Sequence, residues 1–192
     1  MDRRRARRPV LLLGLAAALG LLAAPASAEI QKLMQMCPGQ KLCPWFKAVV
    51  AAPRGWAEDR EFGSAHFITA LFPDKPKLTP QDPMIYAQVS LHRDDQTLEE
   101  NIAQNQGIWR QKEPRVKITP LPDVARGGDR APFKVFLYEN PAHPRQAFEL
   151  MAFGLETQPD GAHYIITVVD TASNRKAIDT SREAYLAVLA GL

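Results

Sequence analysis

The chain is poor in the residues that usually carry chemistry. It has two cysteines and four histidines in 192 residues. His66, His92, His143 and His163 are scattered. None stands in H-x-x-x-H or H-x-H spacing with an acidic partner, so no zinc-hydrolase motif is present. After the first 28 residues the serines are Ser64, Ser90, Ser173 and Ser181, none within G-x-S-x-G. Gly127-Gly128 is too short to cradle a phosphate. There is no internal repeat, no low-complexity tract and no long run of one charge. Only one long apolar run occurs, at the N-terminus.

That run gives the clearest signal in the chain. Arg3, Arg4, Arg5, Arg7 and Arg8 make a basic n-region, Val10 to Ala24 is continuous Val, Leu, Ala and Gly, and Ala26-Ser27-Ala28 is a small-residue cleavage site. The pattern predicts a secretory signal peptide over residues 1–28, with the working protein starting at Glu29 in the periplasm or outside the cell. Fifteen apolar residues reach roughly 22 Å at the helical rise, short of a ~30 Å hydrocarbon core, which argues against a retained anchor and stable membrane insertion. The basic n-region is the simpler reading of Arg7-Arg8, which loosely resembles a twin-arginine signal; the choice of export route stays open.

Removing the leader changes the charge. Residues 1–28 hold five arginines and one aspartate of the chain's 24 basic and 21 acidic residues, leaving 19 and 20, a net of −1. The basicity belongs to the leader, so nucleic-acid binding is not expected. The remaining 164 residues suit one domain able to bury its own core. Fourteen of the sixteen prolines fall there, clustered between apolar segments as in stiff surface loops.

Cys37 and Cys43 are expected to pair in an oxidising compartment. Their C-x5-C spacing differs from the C-x-x-C of thiol oxidoreductases, so the bridge reads as a structural staple. Met34-x-Met36-Cys37 with Cys43 also offers soft sulfur to copper(I). A disulfide removes both thiolates, so in their simplest forms these readings exclude each other. No cofactor is expected.

Along the chain, Ile30, Leu33 and Met34 predict a short amphipathic helix over Glu29 to Met36, followed by the disulfide loop to residue 46. Strands are expected at Phe46 to Ala52, His66 to Phe72 and Met84 to His92, the last with strict period-2 alternation. Thr97-Leu98-Glu99-Glu100 is a capping box opening a helix that should end before Pro114. Leu98, Ile102, Asn105 and Trp109 share its face. Short strands follow at Val116 to Ile118, Phe133 to Glu139, Gln146 to Leu155 and Tyr164 to Val169. The last helix starts at Asn174 or at Thr180, where Thr180 to Glu183 offers a second box. Ile178, Ser181, Tyr185 and Val188 form its buried face. The order predicts an α+β fold, a mainly antiparallel sheet with packed helices, over residues 47–192.

This element order, with the Pro53-x-Gly55-Trp56 corner, resembles the Mog1/PsbP-like superfamily from about Lys47 to Leu192. The resemblance implies a binding or accessory role and no shared catalytic constellation. The cysteine segment lies outside it. Two functions follow as expectations. The first is an exported non-enzymatic accessory protein that binds a protein partner or small ligand in the cell envelope, for which Trp45, Phe46 and Trp56 form a possible patch. The second is a small metal-binding protein or hydrolase whose site assembles from distant residues such as His66, His92, Asp94 and His163. His92-Arg93-Asp94-Asp95 is otherwise explained as a solvated turn whose carboxylates favour the helix start that follows.

Overall fold

The computed structural model describes residues 28–37, 39 and 41–192. The basic n-region and apolar run of the expected leader lie outside these residues. Ala28, the last residue assigned to that leader, is buried at 3% exposure, and its carbonyl accepts from Gln158 Nε2 at 3.0 Å.

Seven strands form one sheet in which every neighbouring pair is antiparallel. They are β3 (Trp56–Glu58), β4 (Thr69–Pro73), β5 (Met84–Leu91), β6 (Lys117–Pro120), β7 (Lys134–Glu139), β8 (Phe148–Thr157) and β9 (His163–Ala172). Their order across the sheet is β3-β4-β5-β9-β8-β7-β6. A hairpin of β1 (Ile30–Cys37) and β2 (Lys41–Ala48) stands apart as a second, two-stranded sheet. The helices are α1 (Arg60–His66), α2 (Leu98–Lys112) and α3 (Arg175–Gly191). The fold is α+β, as the pattern of periods predicts.

Period-2 alternation sorts the central strands onto two cores. Ile85, Ala87 and Val89 of β5 lie on the same face as Ile166 and Val168 of β9 and Leu150 and Ala152 of β8. That face is covered by Ile178, Tyr185, Val188 and Leu189 of α3 and by Ile30 and Ala48 of the hairpin. The opposite face carries Met151, Phe153, Val169 and Tyr138 under Ile102 of α2. The buried face read for α3 is therefore the one that packs. Gly154 is fixed by this packing, because a Cβ there would come within 2.5 Å of the Phe133 ring. Gly154→Ala is expected to cost about 1–3 kcal/mol through overpacking, measured as a fall in the urea midpoint with the slope unchanged.

Helix starts follow their caps. Thr97 Oγ1 accepts from Glu100 N at 3.2 Å while Glu100 Oε2 accepts from Thr97 N at 2.7 Å, so the capping box forms, and α2 stops at Lys112, before Pro114. α3 is capped by Asn174, whose Oδ1 accepts from Ala177 N at 3.0 Å. The second box does not form, since Thr180 lies inside the helix and its hydroxyl donates to Lys176 O.

Three local expectations are corrected, the first being the strand expected at Phe46 to Ala52, which is β2 and runs over Lys41–Ala48. Glu29 to Met36 is not helical: residues 30–37 are β1, paired in register with β2 from Ile30↔Ala48 to Cys37↔Lys41. A helix of eight residues is marginal by itself, whereas a full ladder and a covalent tie at the hairpin end satisfy the same backbone groups. His66 does not open a strand. It ends α1, which Asp59 caps by accepting from Phe62 N at 2.9 Å, and β4 begins at Thr69. Phe67 between them adopts φ 59°, costly for a bulky side chain, with its ring 6.0 Å from that of Trp45, edge to face.

Candidate functional site

Cys37 and Cys43 are joined, with Cα atoms 5.9 Å apart across the hairpin end. Both sulfurs are thus engaged, while Met34 and Met36 lie exposed on the strand beside them. The three aromatics of the expected patch turn inward. Trp45 is 8% exposed against Phe67, Phe46 packs on Tyr164 with centroids 5.1 Å apart, and Trp56 packs against the core.

The histidines are divided among separate places. His66 bonds its own helix, Nδ1 to Phe62 O at 2.9 Å, and stacks on the Phe62 ring. His92 and His163 meet at the ends of β5 and β9, where His92 N donates to His163 O at 2.9 Å. Asp94 stands exposed in the following turn, in which Arg93 pairs with Asp95 at 3.0 Å. No hydrogen bond or ring contact links His66 to the other two. Among the described residues no group of three or more His, Cys, Asp or Glu is placed to hold a metal ion.

A concavity lies at the other end of β5 and β9. A cleft of about 720 Å³ opens between α1, the β4–β5 loop and the β7–β8 loop. Phe62 of α1 and Phe72 of β4 meet edge to face, centroids 5.5 Å apart, and with Pro80, Met84 and Pro144 they make apolar walls. The polar rim is tied down. Asp82 accepts from Thr79 N at 2.6 Å and from Lys75 Nζ at 2.5 Å, and the Lys75 hydrogen bond above all holds its carboxyl below the usual range. His143 of the β7–β8 loop reaches Glu113 Oε1 at the end of α2, 2.6 Å away, which pins the loop beside the cleft.

One wall of the cleft carries buried polar groups. Thr171 of β9 lines it, is 4% exposed, and its buried Oγ1 has no hydrogen-bond partner among the described residues. Opposite Thr171 in register on β8 stands Glu149, 3% exposed, whose Oε2 is likewise unpartnered. Burial pushes the Glu149 carboxyl up to about 7, with Thr171 and His143 opposing the rise. Tyr86 on β5 is raised as well, first by its own burial and then by Glu149. Thr171 faces Glu149 across the β8–β9 register and steadies its carboxyl, and Thr171 also lines the cleft, so the pair can offer one hydrogen-bonding group to a ligand there.

Neither residue was legible as a site. Glu149 stands between Phe148 and Leu150 and Thr171 between Asp170 and Ala172, 22 positions apart, and only the β8–β9 register brings them together. The one local hint is a carboxylate between Phe148 and Leu150 in an otherwise apolar run. No protein-family model matches the chain, and no curated protein matches it.

Proposed function

We propose that this is an exported, non-enzymatic binding protein of the Mog1/PsbP-like kind, and that its cleft takes a small, largely apolar ligand bearing one polar group. The cleft carries the reading: aromatic and proline walls supply apolar contact, and the Thr171 hydroxyl beside Glu149 supplies a polar group among them. The Cys37–Cys43 bridge suits an oxidising compartment, no helix among the described residues is long and apolar enough to cross a membrane, and the leader pattern supports export.

The test starts with protein isolated from the periplasm or medium. Fractionation and N-terminal sequencing should find it there, starting at Glu29. Native mass spectrometry of the isolated protein should show a retained small molecule. Met84→Trp, which fills the cleft, should remove that molecule without lowering the unfolding midpoint, and Thr171→Val should weaken its binding about 5- to 10-fold through loss of one hydrogen bond. A ligand retained equally by the Met84→Trp variant would place binding elsewhere and reject the cleft.

A further inference from the structure

The hairpin carries a second surface, independent of the cleft. Its register puts Ile30 and Ala48, Lys32 and Phe46, Met34 and Pro44, and Met36 and Leu42 on one face. The inner half of this stripe is covered: Ile30 and Ala48 are buried, and Phe46 packs on Tyr164. The outer half continues just as apolar and, among the described residues, is left exposed. Met34, Met36 and Leu42 are 63%, 57% and 65% exposed, and Pro44 is exposed beside them. The other face is occupied by Trp45 under Phe67 and by Gln35, which bonds to Ser64 of α1.

The basic group at this tip is Lys41, which the register sets opposite Cys37 on the other face. From Ile30 to Ala57 the chain has Lys32, Lys41, Lys47 and Arg54 and no acidic residue. Lys32 and Lys47 are paired to Asp160 and Glu58 of the body, while no ion pair among the described residues engages Lys41 at the tip. A few apolar side chains fall well short of the ~800 Å² per partner that a stable protein interface buries. Shallow burial at a lipid surface needs no such area, and there each basic group adds attraction to anionic headgroups.

We infer that the tip of the β1–β2 hairpin docks the protein on an anionic lipid surface, with Met34, Met36 and Leu42 in the interfacial layer and Lys41 among the headgroups. The disulfide holds the two strands together at that tip.

Co-sedimentation of the exported protein with vesicles tests this. Binding to vesicles of phosphatidylglycerol and phosphatidylcholine should exceed binding to phosphatidylcholine alone by about fivefold, and should fall on going to 0.5 M salt. The triple variant Met34→Gln, Met36→Gln, Leu42→Gln should lose at least tenfold in binding. It should keep the wild-type unfolding midpoint, because the changed side chains are exposed. Lys41→Glu should lose several-fold. Failure of the wild type to bind the anionic vesicles, or equal binding by the triple variant, overturns the inference. A lipid-free dimer in sedimentation velocity that the triple variant dissolves would assign the tip to a second copy of the chain and also overturn it.

Discussion

Arg126→Met is expected to lower the stability of the domain by about 3–5 kcal/mol, the cost of breaking a buried ion pair from one side. The Arg126 side chain has no solvent exposure, and Glu156, its partner on β8, retains 2%. Nη1 donates to Leu155 O at 2.8 Å, Nη2 donates to Glu156 and to Leu192 O, and the guanidinium lies 4.5 Å from the Phe133 ring centre. Burial draws the Arg126 pKa down and Glu156 opposes the fall, so the charge depends on the carboxylate beside it. With methionine at 126, Glu156 keeps only Arg130 Nη1, 3.7 Å away, as a cation. The pair is costly to split rather than strongly stabilising as a whole. The double variant Arg126→Met, Glu156→Leu should therefore recover much of the loss. Urea unfolding at pH 7 measures both, and in heat the single variant should melt about 10 °C or more below the wild type. A single variant within ~1 kcal/mol of wild type would show the pair to be solvated in solution.

The sequence reveals Arg126 only halfway. Arg126 stands just before a turn at Gly127 to Asp129, but nothing local distinguishes a buried arginine from a solvated one; its partner lies 30 residues on and is supplied by β8. The same division runs through the molecule. Elements whose information is contained in one window are legible: the Thr97–Glu100 box, the alternation of β5, and the α3 face of Ile178, Ser181, Tyr185 and Val188. Elements decided by a distant partner are not. Ile30, Leu33 and Met34 satisfy a helical spacing, yet pairing with β2 makes that segment a strand. α1 has seven residues, too few to show a period, and only Asp59 three positions before Phe62 hints at its start. The cleft draws on α1, β4, β5, β9 and two loops, so its assembly is a property of sheet order.

Stability should fall as pH rises from about 4 to 7, which is opposite to the trend set by paired surface carboxylates. Asp170 of β9 has no solvent exposure. Ser181 Oγ donates to its Oδ2 at 2.6 Å, and its Oδ1 has no partner. Burial pushes this carboxyl up to about 7 from 3.8, the Ser181 hydrogen bond opposing. Glu149 is raised to about 7 from 4.5. The unfolded chain releases these protons near pH 4 while the folded chain holds them to about 7, so over that window the folded state binds more protons and stability drops with pH. At up to ~1.4 kcal/mol per unit for each group, Asp170 accounts for about 4 kcal/mol and Glu149 for about 3 by neutral pH. Below pH 4 both are protonated in either state and the effect vanishes. Asp82, Asp95, Glu100 and Asp160 act in the other sense, their carboxyls held low by hydrogen bonds from Lys75, Arg93, Thr97 and Lys32. Their contribution is lost only as pH falls below their ordinary range, so the two regimes separate. Denaturant unfolding should thus give a more stable protein at pH 5 than at pH 7.5. Asp170→Asn keeps an acceptor for Ser181 and cannot ionise, so it should remove about half of that difference. Adding Glu149→Gln should leave the profile nearly flat from pH 5 to 7.5. A wild-type profile already flat across this window would mean that both carboxyls reach solvent and ionise normally, and the buried polarity in the wall of the cleft would go with them.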